Sequence, residues 1–205
     1  MSILALTSDT LIGTPATGNI EYSSPIFTGT PIGTQRGIVP TQQYYRLNSA
    51  NVGANATGAQ SIFGVGVTLS ASTVYEFEML VALSKSAGGT SHTVGFGFGG
   101  TATINNIFYN AIAVGTASSA ANGTAYGSYV ATASNTNTNA TTTATTIFWG
   151  FTIKGTVSIN TGGTFIPQYT LSAAPGGAYS TAIGSFIRIA PVSASGSNTS
   201  VGAWA

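Results

Sequence analysis

The chain has 205 residues with five Lys/Arg, four Asp/Glu and one His, so only 4% of positions are charged and the formal net charge is +1, against about 25% charged in an ordinary soluble domain. A chain that is 43% hydrophobic and nearly neutral is not intrinsically disordered, and scattered Arg36, Arg46, Lys85, Lys154 and Arg188 make no patch for nucleic acid. Zero cysteines exclude disulfides, thiolate catalysis and zinc ribbons, and the length fits one domain with an arm.

Residues 1–40 read as an extended Pro/Gly-rich N-terminal arm. Pro15, Pro25, Pro31 and Pro40 each remove a backbone donor, and Gly13, Gly18, Gly29, Gly33 and Gly37 add turns, so neither a helix nor a long central strand is available. Asn19–Tyr22 is the exception, a short strand. Such an arm buries little apolar surface alone and is expected to lie on a neighbour. Its first residues, Met1–Thr7, lack the basic start and length of a secretory signal, and no run approaches 18 apolar residues, so the expectation is a chain made and kept in a cytoplasm, with no membrane partner.

Residues 41–192 read as a β-sandwich, because the apolar period becomes two. Tyr75, Phe77, Met79, Val81 and Leu83 alternate with Val74, Glu76 and Glu78, the pattern of a strand with one buried face. Val94, Phe96 and Phe98 alternate with Thr93, Gly95 and Gly97, and the glycines imply close approach of another backbone, which a second subunit could supply. Ile147, Trp149, Phe151 and Ile153 repeat the scheme, with a break at Lys154-Gly155 before Val157 and Ile159. Phe165, Pro167, Tyr169 and Leu171 form another face, with Pro167 marking an edge or a bulge, and Ile187 and Ile189 face away from Phe186 and Arg188. Segments near 61–69, 73–84, 92–99, 103–114, 126–133, 145–153, 156–160, 164–172 and 184–191 give eight or nine strands separated by Gly/Ser/Asn/Thr turns. An all-β fold follows, an antiparallel β-sandwich with jelly-roll topology. Ala131–Thr146, carrying Asn135, Asn137 and Asn139, reads as a polar loop, the alternative being that it continues the strands at both of its ends, and residues 193–205 as a C-terminal tail in which Trp204 is expected to dock on something.

The chemistry available is sparse. His92 and Asp9 are the only histidine and aspartate, so a Ser-His-Asp relay would have to join them, and nothing in the sequence supports that. Metal sites collect several His, Cys or acidic ligands; here backbone carbonyls alone remain for a cation, and neither a metal nor a cofactor is expected. Glu76 and Glu78, at i and i+2, put two carboxylates on one strand face about 7 Å apart, near glycosidase spacing. They alternate with a core face, however, and read as solvent or interface carboxylates with Arg46, Lys85, Lys154 or Arg188 as partners, an ion pair between subunits being the alternative. No phosphate-binding Gly-x-x-x-x-Gly-Lys-Ser/Thr loop is present. Asn55, Asn122, Asn139 and Asn198 begin Asn-x-Ser/Thr by chance in a Thr-rich chain. Tyr44, Tyr45, Phe108, Tyr109, Tyr126 and Tyr129 divide between core packing and a sugar or subunit surface. No residue is assigned a catalytic, cofactor-binding or metal-binding role, and the chain is not read as an enzyme.

Leu11–Tyr22, Pro25–Thr28 and Arg36–Pro40, followed by Tyr44–Leu47, Ser61–Gly64, Leu69–Glu78 and Ser185–Pro191, resemble segments of structural proteins of tailed bacteriophages, especially marine and cyanobacterial ones. The resemblance implies a β-sandwich virion protein, a trimer, that decorates or cements the capsid or is attached to the tail, and it carries over no catalytic residue. In that family the module often ends a long tail fibre; Met1 lies only about ten residues before the motif, so a stand-alone subunit is expected.

Gly, Ala, Ser and Thr fill 110 of the 205 positions, so small neutral side chains cover most of the surface. Near-zero net charge leaves little self-repulsion. The expectation is a capsid decoration (cement) protein located in the virion, whose partners are itself, as a homotrimer, and the major capsid protein or another virion protein. The alternative is a tail or tail-fibre module binding a host receptor or polysaccharide.

Overall fold

In the computed structural model residues 6–115, 125–130 by backbone, 133–134, 136–138, 141–198, 200–202 and 204 are described. All regular structure among them is β. The arm carries β1 (Ile20–Ser23), β2 (Ile26–Ile32) and β3 (Gln35–Val39). The body begins with β4 (Gln43–Arg46) and the short β5 (Asn51–Val52), β6 (Gln60–Ser61) and β7 (Val67–Leu69). It continues through β8 (Thr73–Lys85), β9 (Val94–Gly99), β10 (Thr103–Gly115), β11 (Ala125–Val130) and β12 (Thr136–Asn137). The last strands are β13 (Ile147–Thr161), β14 (Gly163–Leu171), β15 (Ser180–Thr181) and β16 (Phe186–Ala194).

Two antiparallel sheets face each other in a sandwich-like body. The larger runs β11-β10-β13-β8, and beyond β8 it divides along that strand's length, β16 and then β4 at one end, β15 and then β5 at the other. The smaller runs β12-β9-β14, with β6 and β7 side by side on the outer edge of β14. Odd-numbered residues of β8 and β13 and even-numbered residues of β9 turn inward, as their alternation predicts, and Phe77, Met79, Val81, Leu83, Trp149, Phe151 and Phe96 are buried. Rings join the sheets: Phe77 meets Phe98 at 5.3 Å and Phe165 at 6.0 Å, and Phe96 meets Phe151 edge-on at 4.6 Å, while Phe98 stacks on Phe165 at 4.6 Å within the smaller sheet. Offset and edge-to-face rings of this kind contribute about 1 kcal/mol per pair beyond their burial.

Four expectations change. The arm carries three strands in a meander instead of one, because its prolines avoid the ladder. Pro25 sits in the β1–β2 turn, Pro31 at the irregularity between Gly29 and Ile32, and Pro15 and Pro40 outside the strands. Glu21 fastens the arm, receiving Arg36 Nε at 2.7 Å, Arg36 Nη2 at 3.0 Å and the Ile12 N–H at 2.8 Å. Lys154-Gly155 is no break: β13 is continuous, and Gly155 lies between Tyr109 and Phe77 because a Cβ there would be 2.5 Å from Tyr109 Cβ. The backbone approaching Gly95 is this chain's own Thr136, 3.0 Å from where a Cβ would stand, so part of the run read as a loop is β12, pairing with β9. Finally, the segment 61–69 is two short strands, β6 and β7, parted by a turn at Gly64, whose φ is 72°. Pro167 lies beside that gap. Its carbonyl accepts from Ile62 N at 3.0 Å, so its missing N–H faces the β6 and β7 side of β14 and not β9.

Candidate functional site

The outward side of the large sheet presents ordered cross-strand rows, fixed by register. Reading from β10 towards β4, one row is Phe108, Thr156, Glu76 and Ala190, and the next is Asn110, Lys154, Glu78, Arg188 and Tyr44. Then come Ile112, Thr152, Leu80, Phe186 and Arg46, followed by Val114, Gly150 and Ala82, and beyond them Phe148 beside Ser84. Leu80, Ile112, Val114 and Phe148 stand 45–48% exposed on this face. Apolar groups therefore hold one end of the sheet and charges the other.

Within the charged row Glu78 is paired twice, which leaves one positive charge in excess. Glu78 accepts from Arg188 Nε at 3.0 Å and also from Arg188 Nη2, while Lys154 Nζ lies 3.2 Å from its other oxygen. The Arg188 guanidinium, and after it the Lys154 ammonium, hold the Glu78 carboxyl below the usual carboxylate range against the opposing effect of partial burial. A glycosidase acid needs the opposite shift, so Glu78 is not placed as the acid of such a pair. Glu76 shares the face but makes no ion pair among the described residues, and Arg46 is turned to Asn48 Oδ1 at 2.6 Å.

Lys85 and His92 lie inside the molecule instead. Lys85 continues the inward side of β8, and its Nζ donates to Gly88 O and Ala144 O, each at 2.6 Å, and to Ala87 O and Thr145 O, each at 3.2 Å. The cluster of backbone carbonyls is thus occupied by the chain's own ammonium, whose pKa burial pulls below the ordinary lysine value. His92 Nδ1 is 2.6 Å from Thr90 O and Nε2 is 2.8 Å from the Tyr179 hydroxyl. Burial lowers its pKa, and the nearby Lys85 charge lowers it further. Burial also raises the Tyr179 phenol, and pushes Tyr169 and Tyr109 up to about 12. With both ring nitrogens of His92 engaged, and Asp9 in the exposed arm accepting from Thr10 N at 2.7 Å, the two are not brought together. Among the described residues no three His, Asp or Glu side chains gather where one metal ion could be held.

Of the aromatic candidates, Tyr109 is core and Tyr44, Tyr45 and Phe108 are exposed; the side chains of Tyr126 and Tyr129, and residues Asn122, Asn135 and Asn139, lie outside the described residues. Tyr45 meets Phe63 edge-on at 6.0 Å, and the two help line a groove of about 340 Å³ between β4 and β7, floored by Ile187 and Ile189. Trp204 is not docked within this chain. It is 80% exposed, its indole N–H donating to Val201 O at 3.0 Å. The exposed apolar residues of the sheet face were not singled out from the sequence, although Ile112 and Val114, apolar on the outward side of a strand that is apolar inward, were the available signal. Comparison of the chain with protein-family models, with curated proteins and with solved structures gave no match.

Proposed function

We propose that this chain is a virion structural protein of a tailed bacteriophage, a self-associating capsid decoration (cement) subunit, and that its body is a jelly roll. The topological part rests on strand order. With β6 and β7 taken as one strand, and the β10–β11 hairpin, β5 and β15 set aside, eight strands remain, ordered β4-β16-β8-β13 and β6/β7-β14-β9-β12. Along the chain each step crosses between the sheets except β9 to β12, the wrapping of two interleaved Greek keys. The hairpin then widens one sheet beyond β13.

The observation that carries the functional part is the outer face, where Leu80, Ile112, Val114 and Phe148 stand half exposed beside a carboxylate, Glu78, already paired by its own neighbours. A monomer rarely leaves such a patch uncovered. Decoration stabilises by mass action, binding the assembled shell and not its free subunits. The resemblance to phage structural proteins supplies the setting and implies a trimer. Copy number per purified particle tests the reading: hundreds are expected, held through salt washes that strip ion-paired proteins, and a handful would overturn it. A handful is what the second reading requires, a tail module binding a host surface polysaccharide, which the groove beside exposed Tyr44 and Tyr45 favours.

A further inference from the structure

We infer that the outer face of the large sheet pairs with the same face of a second copy, about a two-fold axis that runs across the strands along the Ile112–Thr152–Leu80–Phe186 row. The inference rests on the self-associating part of the reading above and is independent of its viral part. It replaces the three-fold arrangement that the resemblance implies.

Three features of the face carry it. The first is size. The rows number five, roughly 35 Å along the strands, but only two of them reach the full width of about 24 Å from β10 to β4, so the face is on the order of 600 Å². That is the lower end of what each partner contributes to a stable interface.

The second is self-complementarity. A two-fold along the Leu80 row sets each row against its mirror row on the partner. The central row meets itself, apolar against apolar at Leu80 and Ile112, with Arg46 at its outer end, turned to Asn48 of its own chain. On one side of it stand long side chains, Lys154 and Glu78; the rows directly opposite them on the partner hold Gly150 and Ala82. Long groups therefore enter the hollows left by small ones, twice over by symmetry. The third is charge. Glu78 meets the burial of its row already hydrogen-bonded to Arg188 and paired with Lys154, so its carboxylate is matched as buried charge requires, and the row carries one positive charge in excess.

Gly150 provides the test. A Cβ there would meet only Val114 O at 3.8 Å, an ordinary contact, so Gly150→Arg leaves the monomer's packing intact while filling the hollow that Lys154 of the partner needs with a group of like charge. Sedimentation of the purified full chain over a range of concentrations is expected to give a dimer. Gly150→Arg and Leu80→Glu are each expected to weaken it at least tenfold, with circular dichroism and thermal unfolding unchanged for Gly150→Arg. A wild-type monomer at all concentrations, a trimer, or a dimer indifferent to Gly150→Arg would each overturn the inference. Copy number on particles is unaffected by that outcome, so the decoration reading stands or falls separately. If the variants lose particle binding while self-association is unchanged, the face covers the shell and not a second copy.

Discussion

Lys85 and His92 are the side chains whose neighbours leave them least choice. Lys85 holds the carbonyls of Ala87, Gly88, Ala144 and Thr145, tying the loop after β8 to the loop before β13. Lys85→Met keeps the length and removes the donor, taking from four part-buried carbonyls the ammonium they share. A loss of about 3 kcal/mol is expected in urea unfolding, and a loss under about 0.5 kcal/mol would mean that water replaces the ammonium at no cost. His92 makes a pH prediction. Its folded pKa is depressed by burial from 6.5, so below that pH the unfolded chain binds a proton that the folded chain refuses. Stability is complete above pH 6.5 and falls as pH drops towards the depressed folded value, by up to about 1.4 kcal/mol per pH unit. Glu21 and Glu78, whose carboxyls are held low by Arg36 and Arg188, add their own loss only below about 4.5. Thermal unfolding between pH 6.5 and 5 should therefore decline in the wild type and stay level in His92→Gln. Parallel profiles would remove His92 as the cause.

Among the strands, β13 gives the sharpest contrast between two glycines. At Gly155 a Cβ would lie 2.1 Å from Phe108 O and 2.5 Å from Tyr109 Cβ, and neither can yield without moving β10. Gly155→Ala is expected to cost about 3 kcal/mol, roughly a 10 °C fall in Tm, whereas Gly150→Ala should be neutral or slightly stabilising. Equal effects would contradict the geometry. The same strand marks how far the sequence could be read. Alternation named the inward residues of β8, β9 and β13 correctly, because burial on one face writes a period of two into the chain wherever it occurs. It divided β13 at Gly155 because the reason for that glycine is Tyr109 on a neighbouring strand, a contact between positions far apart in sequence. The arm's strands were obscured similarly, since whether a proline breaks a ladder depends on which side its missing N–H faces. At the candidate site, the shared face of Glu76 and Glu78 was legible. That Glu78 lies between Arg188 and Lys154 depends on register with β16 and β13, and no local pattern specifies it.

The molecule as a whole works with very few charges: Glu21 with Arg36 in the arm, Glu78 with Arg188 and Lys154 on the sheet, and Lys85 buried. Exposed pairs contribute about 0–1 kcal/mol each and salt screens them, so neither folding nor self-association has much to lose. Raising NaCl from 50 to 500 mM is expected to weaken the proposed dimer less than twofold, as read by sedimentation; a tenfold weakening would mean that ion pairs carry the contact. The pairing of β4 with β16 has a consequence of another kind. Tyr45 is laid against Ile187, so a strand made early in synthesis waits for one made almost last, and β8 waits for both β13 and β16. Contacts this distant in the chain close slowly, in milliseconds to seconds for β topologies. At about 5–20 residues per second on the ribosome, the nascent chain spends several seconds with the inner faces of both sheets incomplete. Its yield in the cell is thus governed by what shields that half-made sandwich, a kinetic demand set by the order of the strands and not by the stability of the finished protein.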